Sequence, residues 1–189
     1  MRRVTLITTG GTIEKTYDEQ TGELENRRSI VRRMLEELRL EDTEVSVLEL
    51  MSKDSLVMDD QDRHRVVEAV RLAGADSDGL CAGVVVLHGT DTLCTTGELL
   101  AAELPTPHVP VVLTGAWRPF EMKRSDALQN LTEAIFATGV LAPGVYCVAH
   151  SRTLRFPGVR KDRTRGTFVP ADEAAAVTPS AAGRHGDRA

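Results

Sequence analysis

Aromatic residues and cysteine are both scarce in this sequence. Phe, Trp and Tyr make up 4% of the 189 residues, so the core has to be built from aliphatic side chains, which suit a sheet buried on both faces. The three cysteines, Cys81, Cys94 and Cys147, are odd in number and form no CxxC pair. Their number and spacing exclude a disulfide framework and a CxxC zinc site, and indicate reduced thiols in an intracellular protein.

The sequence also lacks a long apolar run and a positive net charge. No stretch approaches the roughly 20 apolar residues of a membrane span, and the first apolar run reaches polar residues at Thr8, which is too soon for a secretory signal. The net charge of −5 argues against a general nucleic-acid binder. We therefore expect a cytoplasmic protein that binds neither a membrane nor nucleic acid.

Length and composition predict one domain followed by a tail. A chain of 189 residues is typical of one globular domain, which we place at residues 1–169, and the Ala-, Gly- and charge-rich residues 170–189 predict a flexible tail. Residues 151–189 hold eight Lys or Arg against four Asp or Glu, so they carry +4 and residues 1–150 carry −9. This basic segment suits an anionic ligand group or a subunit contact, and a solvated arginine-rich loop explains it equally well.

Five short, β-branched apolar runs predict buried strands. They are Val4–Ile7, Val45–Leu50, Gly83–His88, Pro110–Thr114 and Gly144–Ala149. Between them lie four helical patterns, which run from Ser29 to Leu40, from Asp59 or Asp60 through Leu72, from Thr95 to Glu103, and from Ser125 through Phe136. Leu72 and Phe136 are expected in the core. This alternation predicts an α/β fold with three layers, α/β/α, around a mostly parallel sheet of the Rossmann or flavodoxin type.

Glycines and polar residues follow the predicted strands. The segments are Thr8–Thr12, Ser52–Ser55, Gly89–Thr92 and Gly115–Ala116, and Lys161 lies further along the chain. Open parallel sheets bind ligands beyond the carboxyl ends of their strands, where the strand order reverses, and the amides of Gly10 and Gly11 could hold an anion there. The GxGxxG and GxxxxGK[ST] motifs are both missing, which disfavours a dinucleotide site or a P-loop.

Two threonines in these segments are candidate nucleophiles. Thr12 and Thr90 each follow a glycine, and a threonine hydroxyl becomes a good nucleophile only when a base takes its proton. The candidate bases and orienting groups are Lys161, Asp91 and Tyr17. Taken singly, each of these residues fits a structural role equally well, because Thr and Asp commonly cap the turns that follow strands.

Three blocks of the sequence resemble signatures of the bacterial L-asparaginase family. Val4–Ile13 (VTLITTGGTI) resembles the amino-terminal signature, Val86–Thr92 (VLHGTDT) resembles the second, and Leu113–Pro119 (LTGAWRP) is similar to a third block. The blocks occur in the family's order, and the resemblance extends over roughly residues 4–168. It implies hydrolysis of L-asparagine, a small amino-acid substrate, to L-aspartate and ammonia. It further implies a threonine acyl-enzyme, with neither a metal nor a cofactor.

The resemblance also implies roles for individual residues. Thr12 matches the nucleophilic threonine of the first signature, and Thr90 and Asp91 match the threonine and aspartate of the second. Lys161 falls where the family keeps the lysine that pairs with them. Tyr17 is the tyrosine nearest to the position of one that, in the family, lies on a flexible lid. Either Thr12 or Thr90 could attack first, and Thr12 is favoured because it lies at the root of the lid-like segment.

Substrate-binding positions follow by the same comparison. Ser52 falls near a substrate-binding serine of the family, and Lys53 stands where long members have a glutamine and could bind a substrate carboxylate. Gly89 and Ala116 would offer backbone groups to the substrate. The family's sites lie near subunit contacts, which implies a homo-oligomer.

The Lys53–Leu56 stretch (KDSL) resembles the short, single-domain members of the family more than the long ones. Long members add a C-terminal domain whose acidic residue reaches a neighbouring subunit's site, and we expect this chain to lack that domain. Glu14, Asp18, Glu19 and Glu23 are candidates to replace that residue, and nothing in the sequence selects among them. A non-catalytic amino-acid-binding domain of the same fold is the alternative to an enzyme.

Overall fold

The protein is described by a computed structural model that covers residues 1–76, 79 and 81–175. The strands of these residues are β1 (Arg2–Gly10), β2 (Thr16–Tyr17), β3 (Leu24–Glu25), β4 (Thr43–Lys53), β5 (Cys81–Leu87), β6 (Pro110–Thr114), β7 (Gly144–Ala149), β8 (Arg152–Arg155), β9 (Val159–Asp162) and β10 (Thr167–Pro170). The helices are α1 (Val31–Glu36), α2 (Asp60–Val70), α3 (Leu93–Glu103), α4 (Ala127–Ala137) and α5 (Ala171–Ala175), with short 3₁₀ turns at Thr12–Glu14 and Ser55–Val57.

The predicted α/β fold with a mostly parallel sheet is confirmed. Six strands form the main sheet in the order β4-β1-β5-β6-β7-β8, and only β8 runs antiparallel to its neighbour. The second parallel strand therefore lies outside the first, which is the flavodoxin-like order. This order places the switch point between β1 and β5, because β1 continues to β4 on one side and the chain returns to β5 on the other.

The core lies on both faces of this sheet, as a three-layer arrangement requires. Successive strand residues point to opposite faces, so Leu6 packs in one cluster and Ile7 in the other. Helices α2 and α3 cover the face of Ile7, and helices α1 and α4 cover the face of Leu6. Among the described residues, none of the helices combines the length and apolar character needed to cross a membrane.

Two residues that were expected in the core are exposed. Leu72 is 87% exposed because α2 ends at Val70 and the chain continues in a π-helical turn, which shifts the phase of the apolar stripe. Phe136 is 64% exposed because the buried stripe of α4 runs through Ile135, and the next residue is rotated by about 100° around a helix with 3.6 residues per turn.

The chain remains structured beyond residue 169, where the sequence predicts that the domain ends. Strands β9 and β10 pair antiparallel with Lys161 opposite Phe168, and α5 follows β10 directly. Glu173 of α5 accepts hydrogen bonds from Arg152 at 2.8 Å and from Arg165 at 2.6 Å. Of the predicted tail at 170–189, residues 176–189 lie outside the described residues.

Helix α2 begins with a capping box that the sequence predicts only in part. The side chain of Asp59 accepts from the amide of Asp62 at 2.8 Å, and the carboxylate of Asp62 accepts from the amide of Asp59 at 3.3 Å. Because the box satisfies amides that have no partner within the helix, we expect Asp59→Ala to lower the free energy of unfolding by about 1 kcal/mol. Urea unfolding measures the loss, and Gln61→Ala, an exposed change in the same helix, is the matched control. Equal stabilities of the two variants would contradict this prediction.

Candidate active site

The loops that follow β1 and β5 touch each other at the switch point of the sheet. Gly10 and Gly11 have φ values of +95° and +78°, a region that L side chains rarely adopt. A Cβ on Gly11 would lie 2.4 Å from the Cα of Gly89, and one on Gly10 would lie 2.6 Å from the backbone of Lys53. Only glycine permits this approach, which brings the segments that carry Thr12 and Thr90 together.

Three predicted site residues form one hydrogen-bonded cluster. The ammonium of Lys161 donates to the hydroxyl of Thr90 at 2.6 Å and to Asp91 Oδ1 at 3.1 Å. Thr90 is 4% exposed, so this hydroxyl is enclosed. Lys161 reaches it from β9, some 70 residues later in the chain. The arrangement gives the Thr90 hydroxyl a direct path for proton exchange with the Lys161 amine.

An aromatic residue that sequence reasoning did not place in the site supports Lys161. The Lys161 ammonium lies 5.0 Å from the centre of the Trp117 ring, in the range of a cation–π contact. The Trp117 ring also lies 5.0 Å from the rings of His150 and Phe168. Since Phe168 is the cross-strand partner of Lys161, Trp117 contacts both strands of the β9–β10 ribbon.

Asp126 holds the loop that carries Trp117. Its carboxylate accepts from the amides of Trp117 and Arg118 at 3.0 Å each and from His150 Nε2 at 2.8 Å. Burial opposes ionisation of this carboxyl, but these hydrogen bonds outweigh it and lower the pKa of Asp126. Asn130 also holds this loop, because its side-chain amide donates to the carbonyl of Gly115 at 2.8 Å. The stretch from Asp126 to Asn130, which follows the third block, is the part of the sequence that could have indicated this support for the loop.

Thr12 lies at the start of a 3₁₀ turn, close to a buried acid. The turn covers Thr12–Glu14, and Thr12 itself is half-buried. Glu14 is 1% exposed, accepts from the amide of Gly10 at 3.1 Å and accepts from the hydroxyl of Ser29. Burial raises the pKa of Glu14 to about 7, against the opposing effect of these hydrogen bonds. The Gly10 amide is therefore bound by Glu14, and the Gly11 amide donates to the Lys53 carbonyl at 2.9 Å, so neither is available to an anion as the sequence suggested.

The other acidic candidates lie further from Thr12 along the chain. Asp18 is buried and paired with Arg27, whereas Glu19 and Glu23 are exposed. Of the four carboxylates, Glu14 is thus the one built into the turn of Thr12.

Tyr17 is not joined to the rest of the site. It lies on the small β2–β3 hairpin, is 58% exposed, and donates its amide to Glu121 Oε2 at 3.1 Å. Within residues 1–76, 79 and 81–175, no hydrogen bond links Tyr17 to Thr12. The hairpin is closed by a bond from the Gly22 amide to the Asp18 carbonyl at 2.7 Å.

The predicted substrate-binding residues separate into two groups. Ser52 is exposed on β4, and the ammonium of Lys53 donates to Asp62 at 2.6 Å, which lowers the pKa of that carboxyl. The Lys53 side chain is therefore engaged with helix α2 in this structure. Gly89 lies at the contact between the two loops, and Ala116 is fully buried behind the end of β6.

Ser55 is a site residue that sequence reasoning missed. It is 1% exposed, and its hydroxyl has no hydrogen-bond partner among the described residues. A Cβ on Gly89 would lie 2.5 Å from this hydroxyl, so Ser55 rather than Ser52 reaches the loop of Thr90. Buried polar groups are normally satisfied, and an unsatisfied one beside a candidate nucleophile is well placed to bind a substrate.

The histidine and the cysteine nearest to the site are unsuited to acid–base or nucleophilic chemistry. His88 is fully buried, donates from Nδ1 to the carbonyl of Gly89 at 2.9 Å and contacts Thr96 through Nε2 at 2.9 Å. Burial lowers the pKa of His88 to about 4 and raises the pKa of Cys94 to about 11. His88 is therefore a neutral residue with a structural role, and Cys94 is a protonated thiol. In the part of the chain that the structure describes, no group of three or more His, Cys, Asp or Glu side chains could hold a metal ion.

A family model matches the sequence of nearly all the described residues. The model described as "Asparaginase, N-terminal" matches residues 3–175. The chain belongs to the asparaginase N-terminal family. The match includes Thr12, Thr90, Asp91 and Lys161, and extends through α5.

Curated relatives carry two different names. The D subunit of the glutamyl-tRNA(Gln) amidotransferase of Methanobrevibacter smithii is 32% identical over 139 residues, which are 72% of this chain and 30% of that protein. An L-asparaginase of Thermococcus kodakarensis is 28% identical over 144 residues, which are 76% of this chain and 43% of that protein. The chain thus spans less than half the length of these curated relatives.

Solved structures show the same likeness. The thermostable L-asparaginase from Thermococcus kodakarensis superposes with a TM-score of 0.75 at 26% identity, covering 89% of this chain and 51% of that one. The asparaginase N-terminal fold therefore extends over the site and the sheet that supports it.

The buried Glu14 carboxyl predicts a pH dependence of stability. Its folded-state pKa of about 7 lies above the ordinary 4.5, so its contribution to stability is fully present below about pH 4.5 and is lost as the pH rises through about 7. Glu14→Gln cannot ionise, and its stability should therefore fall less than that of the wild type between about pH 5 and 8, by roughly 2–3 kcal/mol. Thermal and urea unfolding across this range measure the difference. Glu23→Gln, an exposed change in the same segment, should leave the pH dependence unaltered, and parallel curves for Glu14→Gln and wild type would contradict the prediction.

Proposed function

We propose that the protein hydrolyses the side-chain amide of L-asparagine to L-aspartate and ammonia through a threonine ester. The observation that carries the proposal is the enclosed contact of Lys161 with Thr90 and Asp91, at 2.6 and 3.1 Å, beside the turn of Thr12. Membership of the asparaginase N-terminal family supports the same chemistry. The proposal includes a cytoplasmic, homo-oligomeric protein of the bacterial type that needs neither a metal nor a cofactor.

The first half of the reaction forms the ester. The Thr12 hydroxyl attacks the amide carbon, and its proton passes by way of the Thr90 and Lys161 pair to the leaving nitrogen. The C–N bond breaks, and nitrogen leaves as ammonia. Thr12 is favoured as the attacking residue because it lies in the turn that leads into the β2–β3 hairpin, and the Thr90 hydroxyl, which Lys161 contacts, then serves in proton transfer. Backbone groups of Gly89 and Ala116 bind the substrate, and Ser55 supplies the hydroxyl that the sequence assigned to Ser52. Positioning and oxyanion stabilisation each contribute several kcal/mol in such sites.

The second half of the reaction hydrolyses the ester. Water supplies the oxygen of the new carboxylate, and the Thr90 and Lys161 pair moves the proton between water, threonine and leaving group. Asp91 orients Lys161 and lies where it could accept the substrate's α-ammonium. Tyr17 would join the site only after movement of the β2–β3 hairpin, which would also exclude water.

Thr12→Ala should abolish ammonia release from L-asparagine while leaving the fold intact. Loss of a nucleophile lowers kcat by about 10³-fold or more, and Thr12→Ser, which keeps a hydroxyl, should retain measurable activity. Coupled ammonia detection measures the rate, and circular dichroism checks the fold. Wild-type rates in Thr12→Ala would disprove the role of Thr12. If the wild-type protein binds L-aspartate but releases no ammonia, it is a binding domain of this fold.

Lys161→Met should lower kcat by about 10²- to 10⁴-fold, because it removes the group that exchanges a proton with Thr90. Arg160→Met, on the same strand and exposed, is the matched control and should keep near wild-type activity. Equal activities of the two variants would exclude proton transfer through Lys161.

The similarity to the D subunits of glutamyl-tRNA(Gln) amidotransferases favours a second candidate function. Under it, the chain would act as part of a complex, and its amidohydrolase activity would depend on a partner. Inactivity of the isolated protein, with activity restored by a partner protein, would favour this candidate.

A further inference from the structure

A carboxylate on helix α3 binds the beginning of β9. Oε1 of Glu98 accepts from the amide of Gly158 at 2.7 Å and from the amide of Val159 at 3.3 Å. Glu98 is half-buried, and Val159 is 3% exposed. Hydrogen bonds to a charged acceptor are stronger than those between neutral groups, so Glu98 holds the point at which the β9–β10 ribbon begins.

The same face of α3 packs against this part of the chain at two further positions. Residues 94, 97 and 98 lie on one face of the helix, because residues three and four apart are neighbours there. Cys94 lies beside the backbone of Lys161. A Cβ on Gly97 would lie 2.2 Å from the ring of Phe156, so the ring and the helix are in direct contact. Helix α3 thus supports the chain from Phe156 to Lys161.

The motif residues that Lys161 contacts are attached to the same helix. Thr90 and Asp91 lie just before the start of α3, about two helical turns from Glu98. Lys161 follows Val159 by two residues on β9, so the two side chains point to the same side of the strand. The distance between Lys161 and Thr90 is therefore set by how β9 is held against α3.

We propose that Glu98 is a positioning residue, which holds β9 where Lys161 reaches the hydroxyl of Thr90. This inference deepens the proposed function and rests on it, because the contact of Lys161 with Thr90 serves proton transfer in that reaction. The hydrogen bonds of Glu98 go to backbone amides at the start of β9, whereas those of the Lys161 ammonium go to Thr90 and Asp91. Glu98 therefore acts through Lys161 and does not bind the substrate.

Three substitutions of Glu98 separate its reach from its charge. Glu98→Gln keeps a side-chain oxygen that can accept from both amides, and it should keep the wild-type kcat for L-asparagine. Glu98→Ala removes the acceptor, and Glu98→Asp keeps the charge on a side chain that is one methylene shorter. Both should lower kcat by about 10- to 100-fold with little change in KM, because a small displacement of a catalytic group is costly.

Glu103→Ala is the matched control for these variants. It removes a carboxylate of the same helix that pairs with Arg71, and it should keep the wild-type activity. Circular dichroism checks the fold, and Glu98→Asp carries the test if Glu98→Ala does not fold. A wild-type kcat in the shortened variants, or equal losses in Glu98→Gln and Glu98→Ala, would overturn the proposal.

A double-mutant cycle distinguishes positioning from a general effect on the fold. If Glu98 acts through Lys161, adding Glu98→Ala to Lys161→Met should lower kcat by less than about twofold, because the group that Glu98 positions is already absent. A residue that only stabilises the fold would lower kcat by the same factor in both backgrounds, and that result would count against the proposal.

The fluorescence of Trp117, the only tryptophan in the chain, tests the placement of the ribbon without any reaction. Its ring contacts Lys161 and Phe168, so Glu98→Ala should change its emission maximum and raise its quenching by acrylamide, whereas Glu98→Gln should leave both unchanged. If these changes occur but the wild type releases no ammonia, the proposed function fails and the placement of Lys161 by Glu98 stands. If the fluorescence of Glu98→Ala matches the wild type, the role of Glu98 fails, whatever the activity of the wild type.

Discussion

The closest contact in the site is between two stretches of backbone. Gly11 and Gly89 approach so closely that a Cβ on Gly11 would lie 2.4 Å from the Cα of Gly89. This contact is possible because β1 and β5 are parallel neighbours whose carboxyl ends meet at the switch point. Every other feature of the site depends on it, since it sets the distance between the turn of Thr12 and the enclosed hydroxyl of Thr90.

Lys161, the remaining residue of the site, lies about 70 residues after Thr90 in the chain. Lys161 lies on a two-stranded ribbon outside the main sheet, so the hydrogen bonds of the main sheet do not position it. Trp117 does so instead, by packing against Lys161 and Phe168, and Asp126 in turn fixes Trp117. The Lys161 ammonium is thus positioned by its contact with Trp117, and Trp117 is in turn positioned by the Asp126 carboxylate. Trp117 and Asp126 are both partly buried.

The sequence predicts the sheet well and the site only in part. Pro110–Thr114 and Gly144–Ala149 match the observed strands because both are short β-branched runs buried on both faces. The motif residues around Thr12 and Thr90 could be found locally, as each follows a glycine at a strand end. The pairing of Lys53 with Asp62 and the place of Ser55 against Gly89 could not, because both depend on how β4 leads into α2. The exposure of Leu72 and Phe136 could not be predicted either. The helix geometry within a single turn decides on which face of the helix each side chain lies.

Two carboxyl groups, Asp126 partly buried and Glu14 fully buried, hold the two halves of the site, and burial affects them differently. Asp126 receives two backbone amides, a histidine nitrogen and the side-chain amide of Asn130, and its hydrogen bonds outweigh its burial and keep its pKa low. Burial outweighs the hydrogen bonds that Glu14 receives from the Ser29 hydroxyl and from the backbone of Gly10 and Ile30, so its pKa rises to about 7. The loop of Trp117, and with it Lys161, is therefore held by a charge that persists across the neutral range. The turn of Thr12 is held by a group whose charge changes within that range, so a change of pH near neutrality acts on the Thr12 half of the site first.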